Sequence, residues 1–127
     1  MNKSRIITIV LGMLLLLSLC ACSPRFPTGA FETAAGTMLE FKEDGTYKLT
    51  SAFGKLSHQG IYSVEGDLLT LMTDTNCDQY NLGKGVYNWT YEDDKLVFHL
   101  VEDNCKSRTP LFDAKVPYYK YPYVPKR

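Results

Sequence analysis

The sequence holds only two histidines, one tryptophan and four cysteines in 127 residues, and its formal charges cancel, 14 Lys and Arg against 14 Asp and Glu. Each scarcity excludes something. A cancelled charge without a basic cluster argues against nucleic acid, whose binding depends on clustered Lys and Arg. His58 and His99 have no serine or cysteine in an elbow motif to activate, and no paired carboxylates or triad stand out. The chain is therefore read as a non-enzyme that needs no cofactor. Zinc is disfavoured because no Cys-x-x-Cys or paired His accompanies the cysteines. Asp74-x-Asn76-x-Asp78 opens like a calcium loop and then fails, with Gln79 in the place of the required Gly and Gly85 in the place of the bidentate Glu. No metal is expected.

Long apolar runs are equally scarce. The one present, Ile6 to Leu19, is broken only by Thr8, Gly12 and Ser18 and follows Lys3 and Arg5. It is shorter than the ~20 residues a membrane-spanning helix needs and suits a signal-peptide core. Leu19-Cys20-Ala21-Cys22 follows, and it resembles the bacterial lipobox, in which a small residue precedes a cysteine that is lipidated and becomes the new N-terminus. Cys22 fits that pattern because Ala21 is small, whereas Cys20 would follow Leu19. The expected organisation is a signal peptide over 1–21, a short tether over 22–26, a folded domain over 27–116 and a tail over 117–127. Cleavage before Cys22 leaves 106 residues, one small domain, with 12 basic residues (Lys3 and Arg5 leave with the signal) and 14 acidic. Acyl chains on Cys22, palmitate among them, would hold it on the extracytoplasmic face of the cell membrane or outer membrane.

Of the cysteines, Cys20 leaves with the signal and Cys22 is capped. Cys77 and Cys105 remain, and two thiols in an exported domain are expected to pair.

The rest alternates with period two. Strands are predicted over 27–32, 37–42, 46–50, 56–64, 68–73, 85–91, 96–101 and 111–116, separated by turn signals such as Glu43-Asp44-Gly45, Glu65-Gly66-Asp67 and Glu92-Asp93-Asp94. Leu39 and Phe41 should meet Tyr47 and Leu49. Leu69, Leu71, Tyr87, Trp89, Tyr91, Leu96, Phe98 and Leu100 should face inward, and His99 outward. Gly60 inside the fourth strand marks a bulge or a close backbone approach. Gly60 to Leu71 also lines up with Gly85 to Phe98 as a Gly-x-Tyr strand, an acidic turn and an apolar strand, repeating after 25 residues. Successive hairpins of this kind imply an all-β fold, an antiparallel up-and-down barrel of about eight strands, since closure removes exposed edges.

The stretches TGAF, FKEDGTY, GIYSVEGDLLTL and GVYNWTYEDDKLVFHLVEDNCKSRTPL together resemble the small bacterial lipocalin-like domains of the calycin group, many of them exported lipoproteins. The likeness covers Pro27 to Val116. It implies an eight-stranded barrel whose interior holds a small hydrophobic or amphipathic molecule. It also implies a plug in which the residue after Gly29-Ala30, here Phe31 in place of Trp, packs on an Arg near the last strand, here Arg108.

Tyr47, Tyr62, Tyr87, Trp89, Tyr91 and Phe98 are the candidate ligand wall, rings supplying apolar area and hydroxyls supplying polar handles; His58, also inward, could hydrogen-bond a ligand. The same side chains could instead fill so narrow a barrel completely. Asp103 and Arg108 straddle Cys105 and are expected to form a structural ion pair. The leading expectation is thus a lipid-anchored, monomeric binder of a small hydrophobic molecule. The alternative is an envelope module that binds a protein, such as an inhibitor of a cell-wall-degrading enzyme. The Tyr- and Pro-rich tail is read as an extended arm, a strap or a loose end.

Overall fold

The computed structural model describes residues 24–78, 83–125 and 127. The signal peptide and Cys22 lie outside the described residues. Eight antiparallel strands follow in chain order and close into a barrel: β1 (Gly29–Glu32), β2 (Met38–Phe41), β3 (Thr46–Thr50), β4 (Leu56–Glu65), β5 (Leu68–Met72), β6 (Gly85–Glu92), β7 (Lys95–Asp103) and β8 (Tyr118–Lys120). A single helical turn, α1 (Thr75–Asp78), sits between β5 and β6, and a 3-10 turn (Thr109–Phe112) between β7 and β8.

The register follows from alternation. Leu39 opposes Leu49 and Phe41 opposes Tyr47, as the pattern requires, and all four are buried. The β5 run Leu68-Leu69-Thr70-Leu71-Met72 resolves with Leu69 and Leu71 fully buried and Leu68 exposed. A one-residue slip would have reversed that assignment.

Three expectations change. First, 111–116 is not the closing strand. Pro110 lacks an N–H for a ladder and starts a 3-10 turn instead. Closure falls to Tyr118–Lys120, which pairs with β1 through Phe31–Lys120 and with β7 through Leu96–Tyr118. The segment read as a tail therefore supplies the eighth strand. Second, Leu100 is exposed rather than inward. The β6–β7 register shifts between Val86 and Tyr87, which breaks the two-residue period there, and Phe112 of the 3-10 turn packs on Tyr87 and Phe98 in its stead. Third, Phe26 does not belong to a tether. Its ring meets Phe41 at 5.0 Å, Trp89 at 5.1 Å and Tyr62 at 5.8 Å, so it stoppers the barrel mouth where the chain enters.

An even number of up-and-down strands brings both chain ends to one end of the barrel. That end carries the tight turns 42–45, 65–67 and 93–94. The opposite end carries the turns 33–37 and 51–55, the two described flanks of the β5–β6 loop (73–78 and 83–84) and the segment 104–117. The Cys77–Cys105 disulfide ties the last two together, with Cα atoms 5.6 Å apart.

Candidate functional site

The interior at the loop-bearing end is polar, and Arg108 is its centre. The side chain is fully buried. Nε donates to Asp103 Oδ2 at 2.8 Å and Nη2 to Asp103 Oδ1 at 3.0 Å, a two-point grip on one carboxylate. Nη1 reaches Asp74 Oδ2 at 3.3 Å, Tyr47 Oη at 3.4 Å and the Gly83 carbonyl at 3.1 Å. Thus one guanidinium engages β3, both flanks of the β5–β6 loop and the end of β7.

Asp74 is equally buried and equally shared. Its Oδ2 accepts from Tyr47 Oη at 2.9 Å and from His58 Nδ1 at 2.7 Å, while Oδ1 accepts from the Asn76 backbone N–H at 3.0 Å. Burial pushes this carboxyl up, but donation by His58, Tyr47 and the Asn76 amide outweighs it, and the net direction is below the usual carboxylate range. Tyr87 donates to Asp103, and Cys105 N donates to Asp103 Oδ1 at 2.8 Å. Burial, reinforced by the neighbouring carboxylates, drives the Tyr47 and Tyr87 hydroxyls well above the ordinary tyrosine value. Arg108 is disfavoured by burial, yet Asp103 and Tyr47 more than restore its charge. Among the described residues no buried side-chain nitrogen or oxygen lacks a partner.

The expected Asp103–Arg108 ion pair is therefore present, as the rim of a larger network. The implied Phe31–Arg108 plug is not. Phe31 lies in the aromatic core, edge-on to Tyr91 at 6.1 Å; no ring stacks on the guanidinium among the described residues. Glycine explains the geometry: a Cβ on Gly85 would run into the Asp103 carboxylate and the Arg108 guanidinium, and one on Gly60 would meet the Tyr47 ring and the Met72–Thr73 backbone. The two glycines of the 25-residue repeat are thus both close approaches, one to each side of the polar network.

The candidate ligand wall divides. Tyr47, Tyr87, Trp89, Phe98 and His58 are buried; Tyr62 and Tyr91 are half-buried at the other end, where their hydroxyls donate to the Lys42 carbonyl and the Asp94 carboxylate. The buried rings do not stand around a space. Phe112 enters from the 3-10 turn and touches Tyr87 at 5.3 Å, Phe98 at 5.0 Å and Tyr118 at 6.4 Å, while Phe41 meets Phe98 at 6.2 Å. Trp89 spends its N–H on the Gly66 carbonyl at 3.1 Å. An eight-stranded barrel is just narrow enough for side chains to fill it.

His58, Asp74 and Cys77 also approach one another closely enough to suggest a metal cluster. Their chemistry does not fit one, since the Cys77 sulfur is bonded to Cys105 and Asp74 already accepts from three side chains. Neither Phe112 nor Phe26 belongs to a strand whose alternation would mark it as inward-facing. The local signals for them are Pro110, which interrupts a strand, and an aromatic residue just ahead of β1.

Among the described residues no helix is long and apolar enough to cross a membrane. In comparisons with known proteins, no family model, no curated protein and no solved structure matches the chain.

Proposed function

We propose that the protein is a lipid-anchored, extracytoplasmic, lipocalin-like barrel that works as a non-enzymatic binding module, engaging a protein of the envelope through its loop-bearing end. The observation that carries this reading is the stoppered interior. Phe112 occupies the space between Tyr87, Phe98 and Tyr118, and Phe26 stands across the opposite mouth. Such a barrel offers its surface, not its inside. Orientation supports the same conclusion. Phe26 is packed only four residues after Cys22, a reach of roughly 14 Å even when extended. A lipid on Cys22 would hold the tight-turn end against the membrane and present the loops outward.

Native mass spectrometry of the full protein, extracted from its host membrane in detergent, tests the proposal. The expected mass is that of the acylated chain alone. A stoichiometric, non-covalently retained lipid or other small molecule would refute surface binding in favour of an enclosed ligand. Cys22→Ser should release the protein from the membrane fraction, and unchanged fractionation would refute the anchor.

A further inference from the structure

The loop-bearing end carries one side chain out of keeping with a folded domain's surface. Phe53, at the tip of the β3–β4 turn, is 97% exposed. The turn beneath it is well built: Ser51 N donates to the Lys55 carbonyl at 2.8 Å, Gly54 N to the Ser51 carbonyl at 2.8 Å, and Gly54 takes a positive φ of 76°. The ring is therefore displayed on a hydrogen-bonded support. Leu56, 41% exposed, continues the apolar surface. Aromatic side chains supply many of the anchors of protein interfaces.

A concavity is next to this surface, a groove of about 620 Å³ between the β3–β4 turn, α1 and the segment after Cys105, lined by Lys55, Leu56, His58, Asn76, Ser107 and Leu111 among others. Its chemistry is one-sided. The lining holds an ammonium, an imidazole, an amide and hydroxyls, and among the described residues it holds no carboxylate. Of the acids in the adjoining network, Asp74 is engaged by Tyr47, His58 and Arg108, and Asp103 by Arg108 and Tyr87. Lys55 is exposed and has no ion-pair partner among the described residues; Lys106, beside Ser107, is exposed likewise.

We infer that this groove binds an acidic peptide segment of a protein partner, its carboxylate directed to Lys55 and its apolar neighbours covering Phe53 and Leu56. The inference rests on the binding-module reading and adds the place and the partner's chemistry. Charge complementarity selects the occupant, and the exposed ring supplies the apolar anchor that charge alone lacks.

The test uses the complete mature chain and two synthetic probes, acetylated and amidated peptides of alternating glutamate and leucine or of alternating lysine and leucine, in a nitrogen-15 amide titration. The glutamate peptide should shift the Lys55, Ser57, Asn76 and Ser107 amides, and the lysine peptide should not. Lys55→Glu should weaken binding at least tenfold, and Phe53→Ser severalfold; both side chains are exposed, so neither change removes a core contact. Equal response to the two peptides, shifts confined to the opposite end, no response at millimolar peptide, or unaltered binding by both variants would each overturn the inference. Photo-crosslinkers placed in turn at Phe53 and at exposed positions of the other loops of this end separate this from the broader reading. Discrete envelope-protein adducts without glutamate-peptide binding refute the groove chemistry alone, whereas adducts absent from every loop of this end refute the module itself.

Discussion

Asp103 holds Arg108 by both carboxylate oxygens, at 2.8 and 3.0 Å, across a turn that contains Cys105. The pair is buried, so its worth lies in what happens when one partner is taken away. A buried guanidinium is costly unless each donor finds an acceptor, and here β3, both flanks of the β5–β6 loop and the end of β7 supply them.

Arg108→Ala should therefore strand two carboxylates, Asp103 and Asp74, in the interior and destabilise the fold by about 3–5 kcal/mol. Arg108→Lys keeps the charge but loses the two-point geometry, and should fall between wild type and alanine. Urea unfolding measures both. A loss below about 1 kcal/mol for the alanine variant, the scale of a surface ion pair, would show that the network does not act as a unit.

The same groups set the response to pH. Asp74 lies below its ordinary value in the folded protein, so it contributes stability above the unfolded-state value near 4 that is lost as pH falls through its folded value. Asp74→Asn should flatten that acid limb while lowering stability at neutral pH. Tyr47, Tyr87 and Tyr118 are raised, all three chiefly by burial, so their contribution is complete below about 10 and disappears above it. The share of the tyrosinate absorbance that belongs to these three of the nine tyrosines should then appear with unfolding rather than ahead of it. Ionisation of these three in a still-folded protein near pH 10 would contradict their burial.

Reducing Cys77–Cys105 should cost about 3–4 kcal/mol on the chain-entropy model for a loop of this length, and more of the loss should appear at 73–84 and 104–117 than at the tight turns. Both sulfurs are buried, so reduction should be slow until the protein opens. Hydrogen exchange before and after reduction resolves the two ends. Uniform loss of protection over all eight strands would show that the clasp is not local.

Truncation after Val116 should open the barrel, because Tyr118–Lys120 is the only element among the described residues that joins β1 to β7. It also removes Tyr118, which is fully buried and donates to the Leu111 carbonyl at 2.9 Å. Loss of an aromatic of this size alone is worth about 3–5 kcal/mol. A truncated chain that kept the wild-type urea midpoint would contradict the assignment of the closing strand. Removing only 124–127, by contrast, should leave stability nearly unchanged, since Val124 is 75% exposed.

What the sequence by itself determined is the local chemistry. Alternation of period two placed Leu39, Phe41, Tyr47 and Leu49 on one face, turn residues placed the hairpins, and two cysteines of an exported-looking chain found each other. The first two features depend on neighbours along the chain or directly across a ladder, and the third on there being just these two cysteines in the folded domain. What only the tertiary structure decided lies between residues with no such relation. Phe26 closes one mouth and Phe112 fills the other end, although neither belongs to a strand. Tyr47, His58, Asp74, Asp103 and Arg108 converge because barrel closure folds four separate segments onto one interior. The closing strand moved from Leu111–Val116 to Tyr118–Lys120 for the same kind of reason. Pro110 starts a 3-10 turn that takes up Leu111 and Phe112, only Tyr118–Lys120 reaches β1 and β7 together, and a barrel with no free edge is settled by that meeting.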